Sequence, residues 1–147
     1  MEDDLIVSPP TAPLGPGVPH LGLRPRLEAA MLELTPARRA GLWLAYNFFE
    51  ESHAISQDLD SGEGSFWHAI LHRREPDPAN AKYWFRQVGA HPVLDRLAVQ
   101  SLAIGYRYTT PSAFVDFCER VRATGSAEEA LAQRVQMLEW KLLIDQV

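Results

Sequence analysis

The 147-residue chain carries a formal charge of −5, with 46% hydrophobic and 22% charged residues and one cysteine, Cys118. Its length suits a single domain with its own hydrophobic core, and its acidic balance speaks against a general nucleic-acid binder, which presents a basic face. A lone cysteine excludes an intrachain disulfide and suits a reducing compartment. No apolar run approaches the ~20 residues of a membrane span. The opening MEDDLIV lacks the apolar stretch of a secretory signal. These features predict a cytoplasmic protein with neither a nucleic-acid nor a membrane partner.

Taken in order, residues 1–23 read as a disordered or extended arm, laid over the domain surface if ordered. Pro9, Pro10, Pro13, Pro16 and Pro19 alternate there with Gly15, Gly17 and Gly22, which defeats helix and strand ladders alike. Beyond the arm, Thr35-Pro36, Asp77-Pro78, His91-Pro92 and Thr110-Pro111 each pair an N-cap with proline at the first helical position. Ser126 with Glu129 forms a capping box, and Gly89, Gly105 and Gly125 fall where helices should stop. The signals predict helices over 25–34, 36–58, 65–75, 78–88, 92–104, 111–123 and 127–145. With no sustained two-residue alternation, no sheet is expected. The fold class is all-α: residues 24–147 form a single compact bundle of about six or seven helices, orthogonal or up-down.

The last helix shows an apolar stripe of Leu131, Val135, Leu138 and Leu142, widened by Trp140 and Leu143. Helix 111–123 presents Phe114, Phe117, Cys118 and Val121 to the same core. Cys118 has no histidine beside it in sequence and reads as an inert buried thiol.

The chemistry concentrates in helices 36–58 and 65–75. Their short link, Leu59 to Gly64, makes them antiparallel neighbours. On the first, Tyr46, Glu50, His53 and Gln57 share one stripe; on the second, Ser65, His68, His72 and Glu75 share another. Folded as a hairpin, Glu50, His53, His68 and His72 would meet at one level. Three imidazoles and a carboxylate suit a divalent metal, zinc or iron. The alternatives are a metal-free pocket for a small polar ligand, catalytic or not, and a packing network without chemistry. Phe66, Trp67, Ile70 and Leu71 lie opposite His68 and His72; if only that face is buried, the histidines point to water.

Arg73, Arg74, Tyr83 and His91 are the candidate ligand-binding residues at the rim of such a pocket. Paired arginines suit a carboxylate or phosphate, although Glu75 and Asp77 stand ready to neutralise them. Ala81, Trp84, Phe85 and Val88 share one face of helix 78–88 and are expected in the core, with Asn80, Tyr83 and Gln87 on the other side.

ESHAISQ, SFWHAILHRREPDPANAKYWFRQVGAHP, FVDFCE and LEWKLLIDQ together resemble a family of small, uncharacterised helical proteins found mainly in bacteria. The resemblance covers roughly residues 41–145. It implies that His53, Gln57, Trp67, His68, His72, Arg73, Arg74, Glu75, Asp77, Asn80, Lys82, Trp84, Phe85 and His91, with Glu51 and Ser52, match family motif positions. It lends no mechanism.

Overall fold

The computed structural model describes residues 2–147, with side chains from residue 4 onward. Nine α-helices occur among the described residues: α1 Glu2–Val7, α2 Arg24–Met31, α3 Pro36–Ala45, α4 Phe49–Ser56, α5 Gly62–Arg74, α6 Pro78–Val88, α7 Pro92–Ser101, α8 Pro111–Val121 and α9 Ala127–Gln146. Turns of 3-10 helix fall at Leu21–Leu23 and Leu102–Ile104, and no strand is present among these residues. Among the described residues no helix is long and apolar enough to cross a membrane.

The polar side chains before the prolines do what capping requires. The Asn80 amide donates to the Asp77 carboxylate at 3.2 Å, the Val93 amide to His91 Nδ1 at 3.1 Å, and the Ala113 amide to the Thr110 hydroxyl at 3.1 Å. Each satisfies a helix-start donor that has no partner within the helix. Ser126 caps α9 by accepting from the Glu129 amide at 3.1 Å. The Glu129 carboxylate reaches past the cap to the amides of Ala123 and Gly125. Gly89 and Gly105 end α6 and the turn after α7 with φ of 63° and 91°, a conformation that carries no Cβ penalty only for glycine.

The count exceeds the expected six or seven for two local reasons. The segment expected as one helix over 36–58 breaks at Asn47, whose φ of 69° is left-handed. The Phe48 amide turns back to the Trp43 carbonyl at 3.0 Å, ending α3 and starting α4 on a new axis. Asparagine tolerates this conformation, and its side chain is used: Nδ2 donates to the Val18 carbonyl, and Oδ1 accepts from Arg74. The other addition is α1, in the arm.

That arm is ordered, contrary to the disordered reading. Leu5, Ile6, Ala12 and Leu14 are buried, and the domain's side chains hold its carbonyls. Tyr46 donates to Leu5, Gln136 to Pro13, Arg122 to Leu14, and Arg74 to Gly15. Only the proline-rich part between α1 and the 3-10 turn forms no ladder; acceptors of the arm are satisfied by donors reaching out from the later helices.

Helix α5 is the axis of the domain. Every residue from Phe66 to Arg74 is buried, with α3, α4 and α6 packed around it. Gly41 on α3 makes this approach feasible. A Cβ there would stand 2.8 Å from Ile144 Cδ1 and closer still to the Trp67 ring, while the Gly41 carbonyl accepts from Trp140 Nε1 at 2.7 Å. Gly41→Ala is therefore expected to destabilise by about 1–3 kcal/mol or more through overpacking, read as a fall in urea midpoint with unchanged slope. A variant as stable as the parent would show that α3 and α5 are not this tightly apposed.

A second apolar cluster joins α7, α8 and α9 with the arm through Leu14, Leu97, Phe114, Phe117, Val121, Ala132 and Val135. On α9 the expected Val135, Trp140 and Leu143 are buried, but the face is rotated from the rest of the stripe: Ala132, Gln136 and Glu139 are buried too, while Leu131, Leu138 and Leu142 are only half-buried. Cys118 lies fully buried in this cluster, and burial pushes its thiol up to about 11, which removes thiolate character at neutral pH.

Candidate metal centre

Helices α4 and α5 pack as the short link requires, and the histidines meet. One ring nitrogen from each of His53, His68 and His72 lies within 4.8 Å of the other two. The His68 and His72 rings are stacked, with centroids 4.7 Å apart and planes 26° from parallel. His53 stands edge-on to both, at 4.6 Å and 5.7 Å. His68 and His72 are buried and His53 half-buried, so the histidines of α5 do not point to water. Burial extends all round that helix, which an apolar face read in isolation did not foretell.

Glu50, expected as the fourth member, is exposed and outside this group. The break at Asn47 re-aims the first turn of α4, and a carboxylate there faces solvent. Another carboxylate approaches instead: Glu75 Oε2 lies 3.5 Å from His72 Nδ1, and the Asn80 amide lies 3.5 Å from His72 Nε2. Both distances are long for hydrogen bonds. The Nδ1 atoms of His68 and His72 are buried without a hydrogen-bond partner, each at a cost of about 1–3 kcal/mol if left so.

Two of these imidazoles, His68 and His72, favour the neutral form. Burial first, then the charges that His72 and His53 would carry, push His68 down to about 4. Burial also lowers His72, against an opposing pull from Glu75. The unfolded chain takes a proton on His68 near the ordinary value of ~6.5, whereas the folded chain resists until about pH 4. Across that window the unfolded state binds more protons, so His68 contributes stability above it and loses that contribution as pH falls. For metal-free protein, the melting temperature should drop more steeply from pH 6.5 to 4.5 than in His68→Gln. Parallel slopes would contradict this.

The remaining candidates do not line the histidine group. Arg73 is fully buried and pairs with Glu139 through two bonds of 2.9 Å and 2.6 Å, with a third to Gln136 at 3.1 Å. Its guanidinium also lies over Phe114 at 4.7 Å. Arg74 is 2% exposed and donates to the Leu44 carbonyl, to Asn47 and to the arm at Gly15. Both arginines are spent on packing, so the ligand-binding role expected of them is replaced by a clamp between α5, α9 and the arm. His91 is likewise committed: Nδ1 caps α7, and Nε2 lies 3.1 Å from Glu63. Tyr83 is 46% exposed, with its ring edge-on to Trp84 at 5.2 Å, and so remains close to the centre at one remove.

Sequence reasoning missed Trp84 and Asn80 as neighbours of the histidines. Trp84 had been assigned to the core with Ala81 and Phe85, yet it is half-buried and stacks on His68. Its position one turn from Asn80 was the available signal. Glu139 was also missed, although a carboxylate four residues from Val135 and Leu143, inside an apolar stripe, marks a buried charge needing a partner.

Compared with known proteins, the chain matches no family model, no curated protein and no solved structure. What defines the molecule is therefore its own architecture: an all-helical domain with a three-histidine group between α4 and α5.

Proposed function

We propose that this domain is a metalloprotein holding one divalent transition metal, with zinc preferred over iron, on His53, His68 and His72. The observation that carries the reading is three imidazoles gathered within 4.8 Å, two of them buried with unpartnered Nδ1 atoms. Tetrahedral zinc with nitrogens at ~2.0–2.1 Å brings its ligand atoms about 3.4 Å apart, so the three rings, whose nitrogens lie within 4.8 Å of one another, would draw closer on loading. Glu75, 3.5 Å from His72 Nδ1, is the kind of outer carboxylate that fixes a tautomer once it closes on that nitrogen, which would direct Nε2, now near the Asn80 amide, to the metal. Three protein ligands leave a coordination position for water or a small polar ligand, the pattern of catalytic rather than structural zinc. A metal there supplies Lewis acidity and a water acidic enough to ionise near neutral pH.

The alternative of a packing network fits the two arginines instead. Arg73, Arg74 and Glu139 make such a network, hydrogen bond by hydrogen bond. The histidines offer ring contacts and unpartnered nitrogens, which supports a ligand in their midst. A cytoplasmic setting, where a lone buried thiol stays reduced, belongs to the same proposal, as does membership of the bacterial family the motif resembles.

Calorimetric titration of metal-stripped protein with zinc chloride tests the reading. One site per chain is expected, because the three ring nitrogens gather at a single point. No heat of binding would end it.

A further inference from the structure

Neither His68 nor His72 has a hydrogen-bond partner at Nδ1, and only His72 has a carboxylate near that nitrogen, Glu75 at 3.5 Å. Metal-binding imidazoles are ordinarily held in orientation by a hydrogen bond from the second nitrogen, so something else must hold the His68 ring. The Trp84 indole lies on it, with centroids 4.0 Å apart and planes only 15° from parallel. On the opposite side is the His72 ring. His68 is thus the middle layer of a three-ring stack, and it presents its nitrogens only along the edges of that stack. Trp84 is itself steadied by Tyr83, edge-on at 5.2 Å, whose ring has the Arg86 guanidinium over it at 6.0 Å.

We propose that Trp84 is the positioning residue of the three-histidine centre, fixing the plane of His68 by stacking where a hydrogen bond is missing. This rests on the metal reading above. A metal withdraws electron density from a bound imidazole, and the indole face attracts a ring that has become partly cationic. The stack is therefore tighter in the loaded protein than in the metal-free one, and Trp84 binds no metal itself. Trp84 also lines an open groove of about 580 Å³ with Gln57, Ser65 and Gln87. Gln57 stands one turn beyond His53 and Ser65 one turn before His68, so solvent reaches the indole next to the centre.

The test compares zinc binding by the parent with that of Trp84→Leu, which removes the ring, and Trp84→Phe, which keeps one. Loss of an outer-shell support costs ~10–100-fold in metal affinity. Trp84→Leu is expected to bind zinc in that weakened range at unchanged one-to-one stoichiometry, with Trp84→Phe close to the parent. A second readout needs no unstable variant: zinc should change the indole emission of the parent more than that of Trp84→Phe, in which only Trp43, Trp67 and Trp140 still emit. Parent-like affinity in Trp84→Leu, or an emission change in Trp84→Phe as large as the parent's, overturns the role of Trp84 while leaving the metal site standing. Failure of the parent to take up zinc overturns both.

Discussion

Glu139→Gln is expected to destabilise the domain by about 3–5 kcal/mol, the cost of removing one partner of a buried ion pair. The Arg73 guanidinium is fully buried. Burial opposes its charge, yet the two-pronged contact with Glu139 outweighs this and raises its pKa above the ordinary value. Once the carboxylate becomes an amide, the charge remains with only Gln136, the Phe114 face and neutral dipoles around it. The two residues lie on α5 and α9 and are 66 positions apart in sequence, so the pair fixes how the last helix closes over the axis of the fold. Arg73→Met with Glu139→Leu should recover most of the loss, because an apolar pair incurs no desolvation penalty. Urea unfolding of the parent, both single variants and the double variant gives the coupling energy directly. A Glu139→Gln variant within about 1 kcal/mol of the parent would contradict the account of this contact.

His53→Ala is expected to separate site from fold. The side chain is half-buried on the short helix α4, so its loss should change stability little, within the range of about 1 kcal/mol usual for such positions. Zinc affinity should fall by more than the ~100-fold that marks loss of an outer-shell group, since one of three ligands is gone. In the parent, zinc at 100 times its dissociation constant should add ~2.7 kcal/mol of stability, a gain absent from the variant. Thermal melts with and without zinc measure both effects. Equal zinc-dependent stabilisation in parent and variant would remove His53 from the site.

Local chemistry made much of this molecule legible. Proline after a capping side chain marked the starts of α3, α6, α7 and α8, because those signals act within one turn and need no tertiary context. The meeting of His53 with His68 and His72 also followed from spacing, since a short link leaves antiparallel helices little freedom of register. Three features were hidden for a common reason: each depends on partners distant in sequence. The ordering of the arm relies on Gln136, Arg122 and Arg74 as donors. The break at Asn47 exists where Arg74 and Val18 both claim the asparagine side chain. Arg73 looked like an anion binder because Glu139, its partner, lies at the far end of the chain. A charged pair beside histidines suggests a ligand, and only the fold reveals that the protein supplies that ligand itself.

The central claim is that His53, His68 and His72 hold a metal, and elemental analysis tests it most directly. Untagged parent protein, purified without chelator and dialysed against zinc, should carry close to one metal ion per chain, and His53→Ala/His68→Ala treated alike should carry none. Equal metal in both proteins, or none in the parent, would contradict it.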